Sequence, residues 1–231
     1  MAAFRHAVKI GANFIETDLH LTRDAWLVAI HDDTLERTTN GSGPVAAKTL
    51  EDLRTLDAGS WFRERSGAGA PSEFAGERLP TIEEIFKLGR EHDLGLYLEI
   101  KAPGASGAEH AVVGAARAAG EIGRTVVISF DPGVLARVRK YEPLLMTGLL
   151  FSDPVPPAKI VADAIRVGAR QLLPKVDLVT PELIAEARSN DFLVVAWTVN
   201  EPDKMRSLMT LGVAGIITDY PEKALALTRS T

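Results

Sequence analysis

The chain has no cysteine, which excludes disulfides and thiolate metal sites. It has no apolar run approaching the roughly 18–20 residues of a membrane span. No signal peptide is visible at the displayed start. The location is therefore read as cytoplasmic as written, with room left for a secretory signal upstream. No linker and no low-complexity segment interrupts the chain. Nor is there an excess of positive charge: the net charge of −5 argues against non-specific binding to nucleic acid. What is present is the composition of an ordinary globular domain, 46% apolar and 25% charged, with no bias towards disorder. At 231 residues there is material for one sizeable core, slightly short of the about 250 typical of a single α/β barrel.

The organisation is strand alternating with helix. Strands are expected at Asn13–Leu19, Gly95–Lys101, Thr125–Phe130, Leu145–Phe151, Arg170–Pro174, Phe192–Val199 and Gly215–Thr218. These are short runs rich in Val, Ile and Leu, as befits strands buried on both faces. Helices are expected at Thr81–Glu91 and Ala108–Gly120, and at Pro132–Tyr141, Pro157–Val167, Pro181–Ser189, Pro202–Leu211 and Pro221–Thr228. The last five open on proline, which is tolerated at a first helical position because its missing N–H would be unpaired there. Such alternation predicts a parallel sheet with right-handed crossovers. Seven strands are one short of a closed (β/α)8 barrel.

One block carries most of the chemistry. It runs through Glu16-Thr17-Asp18 and on to His31-Asp32. Side chains alternate along a strand, so Glu16 and Asp18 share a face. Two adjacent like charges are costly unless something positive lies between them. A divalent cation fits, because hard cations take carboxylate oxygens. A histidine nearby can then move a proton near neutral pH.

The block reads E-T-D-x-x-x-T-x-D-x-x-x-V-x-x-H-D-x-x-L-x-R-T-T-N-G from Glu16 to Gly41. It resembles the glycerophosphodiester phosphodiesterase family. The resemblance extends to Leu98-Glu99-Ile100-Lys101, to Ala196-Trp197-Thr198-Val199-Asn200 and to Ile217-Thr218-Asp219-Tyr220-Pro221, in the family's order. The chain departs from the family in lacking a His-Arg-Gly strand and a Pro-Glu-Asn-Thr segment. Met1 to Val8 resembles the middle of the helix that follows them, and His6 lies on that helix.

The resemblance implies an α/β fold, a TIM (β/α)8-type barrel of the PLC-like phosphodiesterase kind, with the first strand missing from this chain. The whole of residues 1–231 is then one domain. Leu27–His31 becomes a hairpin partner rather than a barrel strand, and residues 61–78 a loop inserted on the active-site side. The implied metal ligands are Glu16, Asp18 and Glu99, holding one divalent ion. Three carboxylates with positions left for water and phosphate suit Ca2+ or Mg2+ better than zinc. His31 is implied as general acid or base, oriented by Asp32, and Lys101 as the residue that holds phosphate. Trp197 is implied to pack against the glycerol moiety.

Plainer readings stand beside these. Glu99 and Lys101 could form a simple ion pair, and Trp197 could be a core residue. Asp32 could form a turn, and Arg37 could face the site but is better read as a buried ion pair or a brace of its loop. Asn200, Asp219 and Tyr220 are weaker candidates on the same rim. His20 follows Asp18 on the same face and is a candidate to replace the absent histidine.

The implied reaction is hydrolysis of a small-molecule glycerophosphodiester to sn-glycerol 3-phosphate and an alcohol. Three hypotheses follow: a complete phosphodiesterase whose displayed start falls too late, a binding remnant without turnover, and an enzyme of larger lipid substrates resembling lysophospholipase D. The polar composition of 61–78 does not suggest a groove for the last. Without a first strand the sheet should also expose two edges, which invites self-association.

Overall fold

The computed structural model describes residues 1–62, 72–101 and 107–228. Half of the expected 61–78 insertion, residues 63–71, lies outside the described residues. The chain opens with helix α1 (Ala2–Ile10), followed by strand β1 (Phe14–Leu21) and the short β2 (Leu27–Ala29). After helix α2 (Leu50–Arg54) the alternation becomes regular: α3 (Ile82–His92), β3 (Gly95–Ile100), α4 (Ala108–Ala119), β4 (Thr125–Ser129), α5 (Pro132–Tyr141) and β5 (Met146–Phe151). It continues through α6 (Pro157–Val167), β6 (Gln171–Pro174), α7 (Pro181–Ser189), β7 (Leu193–Ala196), α8 (Pro202–Leu211), β8 (Gly215–Ile216) and α9 (Pro221–Thr228). No helix among the described residues is long and apolar enough to cross a membrane.

Local chemistry explains the boundaries. The five helices α5 to α9 begin at proline, as expected. Helix α3 is started by a capping box: the Thr81 hydroxyl accepts from Glu84 N–H, while the Glu84 carboxylate accepts from Thr81 N–H. Two of the four unpaired N–H groups at the helix start are satisfied in this way. Helices α4, α6 and α8 stop at Gly120, Gly168 and Gly212, each in the left-handed conformation that costs glycine little.

The sheet order is β2-β1-β3-β4-β5-β6-β7-β8. All neighbouring pairs are parallel except β1 with β2, an antiparallel hairpin with Leu19 opposite Ala29. Side chains alternate. Ile15 and Leu19 of β1, Leu96, Leu98 and Ile100 of β3, and Val127 of β4 face outwards and pack with α3, α4 and α5. The opposite faces of β3 to β7 meet one another: Tyr97, Val126, Ile128, Leu150, Leu173 and Val195 form one cluster, with Trp197 and Ile217 against it. The Tyr97 hydroxyl donates to Gln171 Oε1 at 2.8 Å, joining β3 to β6 across the interior. Strands that are not neighbours can touch on one face only if the sheet curls.

The fold is thus the TIM-type architecture expected from the sequence, an eight-stranded sheet curled into an open barrel. The sheet ends at β8, which is not hydrogen-bonded to β1. A seam therefore runs between these strands, flanked by α1 and α9, which touch.

Candidate metal centre and active site

Glu16 and Asp18 lie on the inner face of β1, and Asp18 stands opposite Glu99 in the β1–β3 register. The parallel pairing sets three carboxylates side by side at the carboxyl end of the strands, where active sites of this architecture sit. One oxygen from each of Glu16, Asp18 and Glu99 lies within 4.8 Å of the others. Lys101, two residues beyond Glu99, places its Nζ 2.6 Å from Asp18 Oδ1 and 3.2 Å from Glu99 Oε1. The second approach falls short of hydrogen-bond geometry, so among the described residues the buried Glu99 Oε1 has an ion-pair partner and no hydrogen bond.

The electrostatics are those of acids crowded out of water. Burial above all, then the charges of Asp18 and Glu99, push the Glu16 carboxyl up to about 8. Lys101 opposes this, and Asp219 adds to it. Glu16 keeps a solvent-facing edge, but it is deep enough in the barrel mouth for desolvation to dominate. Burial also pushes Glu99 up, although Lys101 pulls the other way. Burial works against the Lys101 ammonium, yet Asp18 and Glu99 together outweigh it and raise its pKa. Among the described residues one ammonium faces three carboxyl groups, two of which are pushed up towards their neutral forms for want of positive charge. That combination fits a divalent cation, and these residues are the ones that would hold it.

His31 follows β2. Its backbone is tied to the same strand as the carboxylates: Ile30 N–H donates to Asp18 O at 3.1 Å, and His20 Nε2 lies 3.3 Å from His31 O. The His31 ring is exposed, with Nδ1 2.7 Å from Asp32 Oδ1. Arg37 Nε reaches Asp32 Oδ2 at 2.5 Å. Arg37 first and His31 second hold the Asp32 carboxyl well below the usual carboxylate range. The loop brace expected of Arg37 is thus an ion pair with Asp32. His20, the alternative candidate, is turned towards His31 O and Asp33.

Across the mouth, the Trp197 indole N–H donates to Leu173 O at 2.7 Å. Its ring meets Phe130 edge-on, with centroids 5.5 Å apart. Trp197 is therefore anchored against the inner core and only partly buried. Asn200 grips Asp219 through a 2.7 Å hydrogen bond from its amide, and Lys223 covers the Tyr220 ring. Among the described residues of 61–78, Trp61, Phe62 and Phe74 form an edge-to-face series. Phe130 was not foreseen from sequence. The signal was there, because alternation through Val126 and Ile128 carries inwards to Phe130.

A family model described as the glycerophosphoryl diester phosphodiesterase family matches residues 1–223. A glycerophosphodiester phosphodiesterase of Caldanaerobacter subterraneus is 38% identical over 232 residues, covering 99% of this chain and 91% of that protein. Another, from Bacillus subtilis, is 32% identical and covers 95% of this chain and 78% of that one. Among solved structures, an Oleispira antarctica phosphodiesterase in complex with the product sn-glycerol-3-phosphate superposes with a TM-score of 0.85 at 25% identity. That match covers 99% of this chain and 90% of the other.

Proposed function

Since the chain belongs to the glycerophosphoryl diester phosphodiesterase family of phosphoric diester hydrolases, we propose that it hydrolyses glycerophosphodiesters to sn-glycerol 3-phosphate and an alcohol. One divalent ion, calcium or magnesium, would be held by Glu16, Asp18 and Glu99. The observation that carries this reading is the convergence of those three carboxylates, with one oxygen of each within 4.8 Å of the others. The product bound by the Oleispira phosphodiesterase supports the choice of substrate.

When bound, such an ion supplies Lewis-acid polarisation of phosphoryl oxygens and offsets charge that grows in the transition state. The remaining roles fall to the chain itself. Lys101 offers a point charge to a non-bridging phosphate oxygen. Displacement at phosphorus takes a proton from the attacking hydroxyl or water and returns one to the leaving alkoxide. His31 is the group placed to carry such a proton, with its Nδ1 already engaged by Asp32. Trp197 and Phe130 present an apolar wall suited to the carbon skeleton of the glycerol moiety.

The test is release of glycerol 3-phosphate from glycerophosphocholine, with calcium or magnesium against EDTA, by the parent and by Glu16→Gln. Metal-dependent release lost in the variant is expected. A second reading, binding of metal or phosphodiester without turnover, draws on the histidines. Of the two at this rim among the described residues, His20 is turned to the His31 carbonyl, which leaves one ring for two proton transfers. A folded chain that binds the ion but releases no product would favour that reading over hydrolysis.

A further inference from the structure

Asp32 and Arg37 touch neither the carboxylate cluster nor the apolar wall, yet three donors converge on the Asp32 carboxylate. Arg37 Nε donates to Oδ2 at 2.5 Å and Arg37 Nη2 to Oδ1 at 2.8 Å. His31 Nδ1 meets Oδ1 at 2.7 Å. We propose that Arg37 is a positioning residue for His31: by fixing Asp32 as an acceptor, it keeps the proton of the neutral ring on Nδ1 and leaves Nε2 as the basic atom. The inference rests on His31 being the proton-transfer group of the function above.

The chemistry of the three groups carries it. An ionised carboxylate can only accept, and a guanidinium can only donate. With Asp32 ionised, a 2.7 Å contact to an imidazole nitrogen requires the hydrogen to be on that nitrogen. The hydrogen bond made by one ring nitrogen thereby decides the state of the other. The planar fork of Arg37 takes both carboxylate oxygens at once and fixes the plane of Asp32, as a single ammonium could not.

The exposure of His31 explains why a brace is needed. Its side chain is 66% exposed, so packing does not hold the ring. Its backbone is fixed on β1 by Ile30 N–H and by the His20 ring. Among the described residues the ring itself has one polar partner, Asp32, and Asp32 has Arg37. Without Arg37 the carboxylate can rotate, and an exposed histidine exchanges rotamers and tautomers freely.

The experiment reads the ring directly. Nitrogen-15 shifts of the His31 ring are recorded in the metal-free chain, at a pH where the ring is neutral, for the parent, Arg37→Gln and Arg37→Lys. The parent should show a protonated Nδ1 and a bare Nε2. Arg37→Gln should relax towards a mixture, and Arg37→Lys should fall between. In turnover, Arg37→Gln should lower kcat about tenfold, a fraction of what a general acid or base supplies, and leave KM within about twofold. Arg37→Lys should recover part of kcat. Should Arg37→Gln fail to fold, Asp32→Asn replaces it. Its amide can donate to Nδ1 and should drive the ring to the Nε2–H tautomer. Ring signals identical in the parent and Arg37→Gln, or an unchanged kcat, would overturn the proposal. The predicted ring states with no turnover in any chain would count against hydrolysis and leave the positioning role standing.

Discussion

Replacing Glu16 by glutamine should stabilise the metal-free protein in alkaline solution, although it removes a proposed ligand. The Glu16 carboxyl is pushed up to about 8 in the folded chain and titrates near its ordinary value of about 4.3 when unfolded. Between those two values the folded state binds more protons than the unfolded state, so stability falls as pH rises. The contribution is complete below the unfolded value and is lost as pH passes through the folded one. From about pH 5.5 to about pH 8.5 the loss from this one group is about 3 kcal/mol. Glutamine keeps the shape and has no proton to lose. Urea unfolding in EDTA at both pH values should therefore give the parent a steep decline and Glu16→Gln a shallower one. Some slope should remain in the variant from Glu99, whose carboxyl is also pushed up by burial. At the higher pH the variant should be the more stable protein. A divalent ion at about a hundred times its Kd should return about 2.7 kcal/mol to the parent and much less to the variant. Parallel pH curves for the two proteins in EDTA would refute the reasoning, because they would mean that Glu16 is not held protonated by its surroundings.

Two further substitutions test other parts of the molecule. Lys101→Met removes the one ammonium between Asp18 and Glu99. It should lower kcat/KM for glycerophosphocholine by about a hundredfold, the scale of losing one charge-stabilising donor, as measured by glycerol 3-phosphate release. Gly148→Ala would set a Cβ 2.3 Å from Leu173 Cδ1 in the packed barrel interior. It should cost about 1–3 kcal/mol by urea unfolding, whereas Gly114→Ala on α4, with nothing within 4 Å, should be neutral or stabilising.

The helices from α5 onwards could be bounded from sequence because proline fixes a start sharply, and their observed limits match. Strand ends were less legible. The last strand was expected over Gly215–Thr218 but is paired only at Gly215 and Ile216, since pairing depends on a neighbour that local composition does not reveal. Helix α2 escaped notice because its five residues are too few to show a helical period. Its capping box also uses Asp52 where glutamate or glutamine is the usual signal. At the site, Glu16 and Asp18 could be paired by strand alternation alone. Their meeting with Glu99 depends on the β1–β3 register, to which family resemblance pointed and alternation did not. In the Arg37–Asp32–His31 chain the Asp32–His31 contact was legible, whereas Asp32 as the partner of Arg37 was not. That pairing is made by a loop doubling back over five residues, and no periodicity encodes such a turn.

The seam between β8 and β1 divides the site by stability as well as by space. The charged half, Glu16, Asp18, His31, Glu99 and Lys101, is built on the adjoining β1, β2 and β3, whose outer faces share one buried core. Asp219 and Tyr220 hang from the far edge. There β8 is two half-buried residues long and bonded only to β7, and α9 has no fully buried residue. Few buried contacts mean a low free energy of local opening. The β8–α9 edge is thus ready to detach while β1 to β3 stay folded. Amide exchange at β8 should outpace that at β3, and partial denaturation should loosen Asp219 and Tyr220 before it separates Glu16, Asp18 and Glu99.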